Sequence, residues 1–79
     1  MTTYLSRARA MSALDTDGGW VIFYERRVAV NGVTTRVEEE AECWIHTTDE
    51  GEAVDLALPI CGEDRERAEW LVAHAWVIR

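Results

Sequence analysis

The sequence predicts an α+β fold: an antiparallel four-stranded β-meander with one C-terminal helix packed on one face. Three observations carry that expectation. Asn31-Gly32 sits between two β-rich runs in "RRVAVNGVTTRV". A second turn signal, "TTDEGE" at 47–52, precedes the alternating run "AVDLALP". The segment "GEDRERAEWLVAHAW" then reads as a helix that opens on acidic residues.

Residues 3–13 are read as the first strand, because Ser6, Ala8 and Ala10 alternate with Arg7, Arg9 and Met11. Small residues on the inner face would leave room for a helix above. The segment also holds good helix formers and few β-branched residues, so helix is the alternative. "DTDGG" at 15–19 is a turn signal before the second strand, 19–30.

Asn-Gly tolerates positive φ at both central positions and favours a two-residue type I′ hairpin. Fixing that turn pairs Val30 with Val33, Val28 with Thr35, Arg26 with Val37, Tyr24 with Glu39, Ile22 with Ala41 and Trp20 with Cys43. Side chains alternate across a strand, so the register sorts the hairpin into two faces. Trp20, Ile22, Tyr24, Val28, Val30, Val33, Val37, Ala41, Cys43 and Ile45 form the expected core face. Val21, Phe23, Glu25, Arg27, Ala29, Arg36, Glu38, Glu40, Glu42, Trp44 and His46 form the other. Pairing Ile45 with Val54, Cys43 with Leu56 and Ala41 with Leu58 carries the core phase into a fourth strand, which Pro59 ends. In the helix, Glu63, Asp64 and Glu66 gather in the first turn, where the dipole favours anions. Trp70, Leu71, His74 and Val77 recur at helical spacing and are expected to cover the sheet. The tail "AWVIR" reads alternatively as a short extra strand.

The 79 residues are expected to form a single domain, 1–79. Hydrophobic residues make up 48% of the chain, which suits a packed globule rather than a disordered one. No apolar run approaches the ~18 residues of a membrane span, and the opening lacks the apolar stretch of a signal peptide. A cytoplasmic protein is expected. Fifteen acidic side chains face eight basic ones, all arginine, for a formal net charge of −7. Phosphate neutralisation dominates nucleic-acid affinity, so direct nucleic-acid binding is not expected. The balance suits a basic protein partner, or solubility alone.

Catalytic and metal readings fail on geometry. Cys43 and His46 lie three apart on a strand and so point to opposite faces, which defeats a zinc site with Cys61 and His74. No GxSxG, HExxH or phosphate-binding glycine loop is present. A Cys61–His74 dyad is read as a core cysteine and a helix-face histidine. No enzyme, cofactor or metal is expected. The remaining candidate is the outer sheet face. In the predicted register Glu25 and Arg36 are diagonal neighbours, as are Arg27 and Glu38, so these charges compensate one another. Glu40 and Glu42 stay free beside Phe23 and Trp44, and Asp55 extends the surface. Exposed aromatics rimmed by charge mark interaction surfaces. An edge strand next to such a patch also makes a homodimer a reading to carry.

The opening "MTTYLSRARAMSALD", the meander-plus-helix plan and the acidic "VEEEAE" resemble phage-encoded anti-CRISPR proteins, specifically inhibitors of type I (I-C among them) systems. The resemblance is one of type, with no shared motif. It implies a non-enzymatic inhibitor in the host bacterial cytoplasm that binds Cas subunits of the surveillance complex (Cascade) and blocks target DNA binding. The register argument, not the family, supplies the expected contact residues: Phe23, Glu38, Glu40, Glu42, Trp44 and Asp55, with the helix-start group Glu63, Asp64 and Glu66. The alternative is a small homodimeric structural or accessory phage protein with no CRISPR role.

Overall fold

The computed structural model describes residues 4–31 and 36–79, with side chains described in 4–25 and 42–79. Its elements run α1 (Arg7–Asp17), β1 (Trp20–Asn31), β2 (Arg36–Thr47), α2 (Glu50–Ala57), a 3₁₀ turn (Leu58–Cys61), α3 (Arg65–His74) and β3 (Val77–Ile78). The described sheet has three strands in the order β2-β1-β3. β1 is antiparallel to β2 and parallel to β3, so the sheet is mixed. This corrects the expected four-stranded antiparallel meander with one helix.

Two of the expected strands are helices, and their ends explain why. Ser6 caps α1, its Oγ accepting from the Arg9 amide at 3.3 Å. Leu5, just before the cap, and Ala10, in the fourth helical position, join the same apolar cluster, a hydrophobic staple. The chain after Thr47 folds the same way. Asp49 caps α2 by accepting from the Glu52 amide at 2.9 Å, while Glu50 and Glu52 occupy the first turn. Asp-x-x-Glu before an apolar run is the arrangement of a capping box. Ala53, Val54 and Ala57 then form a buried helical stripe, in place of the inward-facing Val54, Leu56 and Leu58 of the expected strand.

The hairpin register differs from the expected one by four residues. Val30 pairs with Val37, Ile22 with Ile45 and Trp20 with Thr47. Asn31 pairs with Arg36 inside the ladder, so it is not the first residue of a two-residue turn. Gly32 of the expected turn, and Val33 and Thr35 of the expected pairs, lie outside the described residues. A shift by an even number leaves every residue on its assigned face, because the side-chain period is two. The faces therefore stand while the cross-strand partners change.

Both faces are covered, giving three layers. Ile22 and Ile78 pack with Ala53, Val54, Ala57, Ala68 and Val72 under α2 and α3. Val21 and Trp44 pack with Ala10 under α1. The residues that meet the sheet from the helices are mostly alanines, which let a helix axis approach closely. This explains a second correction. α3 faces the sheet through Ala68, Leu71 and Val72, whereas Trp70 is 59% exposed and His74 is exposed too. Val77 lies in β3, the short extra strand that "AWVIR" allowed.

Two side-chain hydrogen bonds tie the α2–α3 layer to β1. The Trp20 indole N–H donates to the Val72 carbonyl at 2.8 Å, satisfying one of the last carbonyls of α3. The Tyr24 hydroxyl donates to the Leu56 carbonyl in α2. Burial, with a smaller contribution from Tyr4, pushes the Tyr24 phenol up from 10.0 to about 12. The folded state thus holds this proton where the unfolded chain has lost it. Its stabilising contribution is complete below pH 10 and disappears as pH rises to about 12. Urea midpoints should fall across that window in the wild type. Tyr24→Phe should flatten this fall, while costing about 1 kcal/mol at neutral pH for the lost hydrogen bond.

Candidate interaction surfaces

The acidic residues expected to form one face divide between two sides of the sheet. Glu42 shares the α1 side with Trp44, and strand alternation puts positions 38 and 40 on that side. Asp55, Glu63, Asp64 and Glu66 belong to the α2–α3 layer on the other. All of the latter four are exposed. Asp64 is engaged as the α3 cap, accepting from the Arg67 amide at 3.2 Å. Glu63 precedes the helix at φ 63°, so of the expected first-turn trio only Glu66 lies inside it. Asp55 pairs with Arg65 at 3.5 Å, and Arg65 also reaches Glu69 at 3.5 Å. These exposed pairs contribute little to stability.

Trp44 is 4% exposed, which corrects its expected place on an open face. Its ring lies 4.4 Å from that of Phe23, centroid to centroid, at a 39° tilt. The Arg7 guanidinium sits 5.8 Å from its centroid. Its indole N–H donates to Glu42 Oε2 at 3.3 Å, and its carbonyl accepts from the Leu5 amide at 2.7 Å. α1 and the segment before it have thus turned the aromatic patch into core, leaving Phe23 half-buried.

The charges on the α1 side are also re-partnered. Arg36, expected beside Glu25, lies opposite Asn31 at the far end of the ladder. Glu40 stands opposite Arg27, and Glu38 opposite Ala29. Glu25 stands opposite Glu42, and both are exposed. Neither forms an ion pair with a described basic residue. Like charges facing each other across a ladder destabilise it by a few tenths to about 1 kcal/mol. Among the residues with described side chains, Glu25 and Glu42 are the carboxylates that face each other across the ladder.

Sequence reasoning missed the exposed tryptophans. Trp76 is 67% exposed, and Trp70 stacks on His74 at 4.3 Å with the rings 16° apart. His74 Nδ1 carries the proton, since it lies 2.7 Å from the Trp70 carbonyl, which can only accept. The available signal is the competing stripe Ala68–Leu71–Val72, which shares the helical spacing of Trp70, Leu71 and His74.

No family model, curated protein or solved structure matches this chain. Among the described residues, no three His, Cys, Asp or Glu side chains are grouped to hold a metal ion. Cys43 is buried on the α2–α3 side, and His46 is held on the α1 side by a 2.7 Å bond to the Gly18 carbonyl. Among those residues, no helix is long and apolar enough to cross a membrane. An apolar cleft of about 360 Å³ is lined by Tyr4, Tyr24, Cys43, Ile45, Leu56 and Pro59, with Glu25 at its side.

Proposed function

We propose that the protein is a non-enzymatic inhibitor whose acidic hairpin occupies a basic surface of a protein partner. The observation that carries this reading is the opposed pair Glu25 and Glu42. Two exposed carboxylates held face to face on a rigid ladder cost stability in the free protein, and a cation placed between them by a partner relieves that cost. Strand geometry supports access to them. Twelve-residue strands span ~40 Å, whereas helices of eight to eleven residues span ~12–17 Å, so the hairpin outruns the helices beside it. Along that outrunning part, β2 carries Glu38, Glu39 and Glu40 in succession. The resemblance to anti-CRISPR proteins supplies the partner: the Arg/Lys-lined DNA path of a type I surveillance complex. Complementary charge speeds such an encounter and makes it salt-dependent.

Affinity and stability should move in opposite directions when this pair is altered. Glu25→Lys places a cation opposite Glu42, so it should raise the unfolding free energy by up to ~1 kcal/mol. The same substitution should weaken capture of purified Cascade at least tenfold and restore target-DNA binding in a gel shift. Wild-type protein that leaves DNA capture undiminished at micromolar concentration overturns the proposal. So does a Glu25→Lys variant that inhibits as well as the wild type.

A further inference from the structure

β3 pairs with β1 only at Val21 and Ile22. The Val21 amide donates to the Trp76 carbonyl at 2.8 Å, so the odd-numbered backbone groups of β1 point toward the β3 edge. Amide and carbonyl directions alternate along a strand, so Glu25, Arg27, Ala29 and Asn31 present their backbone groups to that edge beyond the end of β3. No described strand pairs with them. The outer edge of β2 is treated differently. Leu5 bridges it at Trp44, and Glu38, Glu39 and Glu40 stand in succession along the stretch beyond. Runs of charge protect an edge from strand addition. β1 is less heavily guarded: its charges, Glu25, Arg26 and Arg27, are of mixed sign and leave 28–31 uncharged, against one arginine and four glutamates in 36–42.

We propose that a second copy of this chain pairs with β1 between Glu25 and Asn31, antiparallel, on a two-fold axis at Val28. Charge and length select that register. A two-fold axis at residue 25, 26 or 27 sets Glu25, Arg26 or Arg27 opposite itself, which like charge disfavours. An axis at Val28 brings Glu25 opposite Asn31, Arg26 opposite Val30 and Arg27 opposite Ala29, with no like-charged pair. It uses all seven free residues, and the second strand stops where β3 begins to occupy the edge. An axis at Ala29 shortens the overlap to five residues. The four edge-facing residues of each copy then meet as hydrogen-bonded pairs, making about eight backbone bonds. The resulting sheet core, β2-β1-β1-β2, keeps the two acidic strands outermost, ~14 Å apart. The inference does not depend on the inhibitor reading, and its test contains no Cas protein.

Sedimentation velocity from micromolar to near-millimolar concentration should show the wild type passing from one to two chain masses. Val28 and its symmetry mate form a non-hydrogen-bonded pair, whose Cα separation of ~4.5 Å falls within the range a disulfide bridges. In a Cys61→Ser background, Val28→Cys should therefore give at least ten times more disulfide-linked dimer under mild oxidation than Val30→Cys. Ala29→Pro should abolish the two-chain species, since its missing amide faces the free edge and leaves the β1–β2 ladder bonded. A wild type that stays monomeric throughout overturns the proposal. So does a dimer that crosslinks equally well at both positions or survives Ala29→Pro.

Discussion

Replacing Trp44 with alanine should cost ~3–5 kcal/mol, the range for truncating a buried aromatic. A chain of 79 residues has only roughly 4–12 kcal/mol of stability, so the variant should be partly unfolded at moderate temperature. The size of the effect follows from what the ring touches. It is 4% exposed, joins Ala10 and Val21 in one cluster, stacks on Phe23 and lies under Arg7. Removing it leaves a cavity between α1 and the sheet that neither rigid wall can collapse to fill. Trp76→Ala is the matched comparison: at 67% exposure it should change stability by no more than ~0.5 kcal/mol. Paired urea titrations measure both. Similar losses for the two variants would contradict the assignment of Trp44 to the core and return it to the surface.

Gly19→Ala should be nearly as damaging, at about 3 kcal/mol or more, for a different reason. Gly19 has φ +82°, and a Cβ there would lie 2.2 Å from the Thr47 carbonyl oxygen and 2.9 Å from the Thr48 Cα. Both obstacles are backbone at the end of β2, so relief requires moving the strand that Trp20 pairs with. Gly18, one residue earlier, isolates the conformational part of this cost. Its φ of 71° and ψ of −151° are also close to glycine-only, yet a Cβ there meets nothing within 4 Å. Gly18→Ala should therefore lose only about 1–3 kcal/mol, less than Gly19→Ala. Equal losses at the two positions would show that close approach of the β1 start to Thr47 is not what sets the requirement.

The hairpin was legible in the sequence, and so was the division of its residues between two faces. Alternation carries that information redundantly over twelve residues in each strand, so an error of four in register did not disturb it. Cross-strand partners were not legible, because they hang on the turn alone, and Asn31-Gly32 suggested a tighter turn than the ladder permits. The error mattered for the candidate site, because the observed ladder places Glu25 rather than Val21 opposite Glu42. The strands expected at 3–13 and 53–59 fall largely in α1 and α2, because stretches interspersed with alanine suit either element. There the end signals decide: Ser6 before α1 and the Asp49-to-Glu52 box before α2. The exposure of Trp70 was hidden for a related reason. Close packing of α3 on the sheet selects Ala68 and Val72 and turns the larger ring outward.

These corrections move the functional weight from aromatics to carboxylates. Once α1 covers Trp44, the exposed charges described on the α1 side of the sheet are Glu42 and Glu25, which face each other across the ladder. The placement of α1 is therefore the claim on which the rest depends. A ¹³C-edited NOESY spectrum with the Ala10 methyl assigned tests it directly. Strong cross-peaks are expected from that methyl to the Trp44 ring or the Val21 methyls, together with sequential amide–amide contacts through Arg7–Asp17. An Ala10 methyl with no contact to either residue, in a segment showing strand-type contacts, would contradict it.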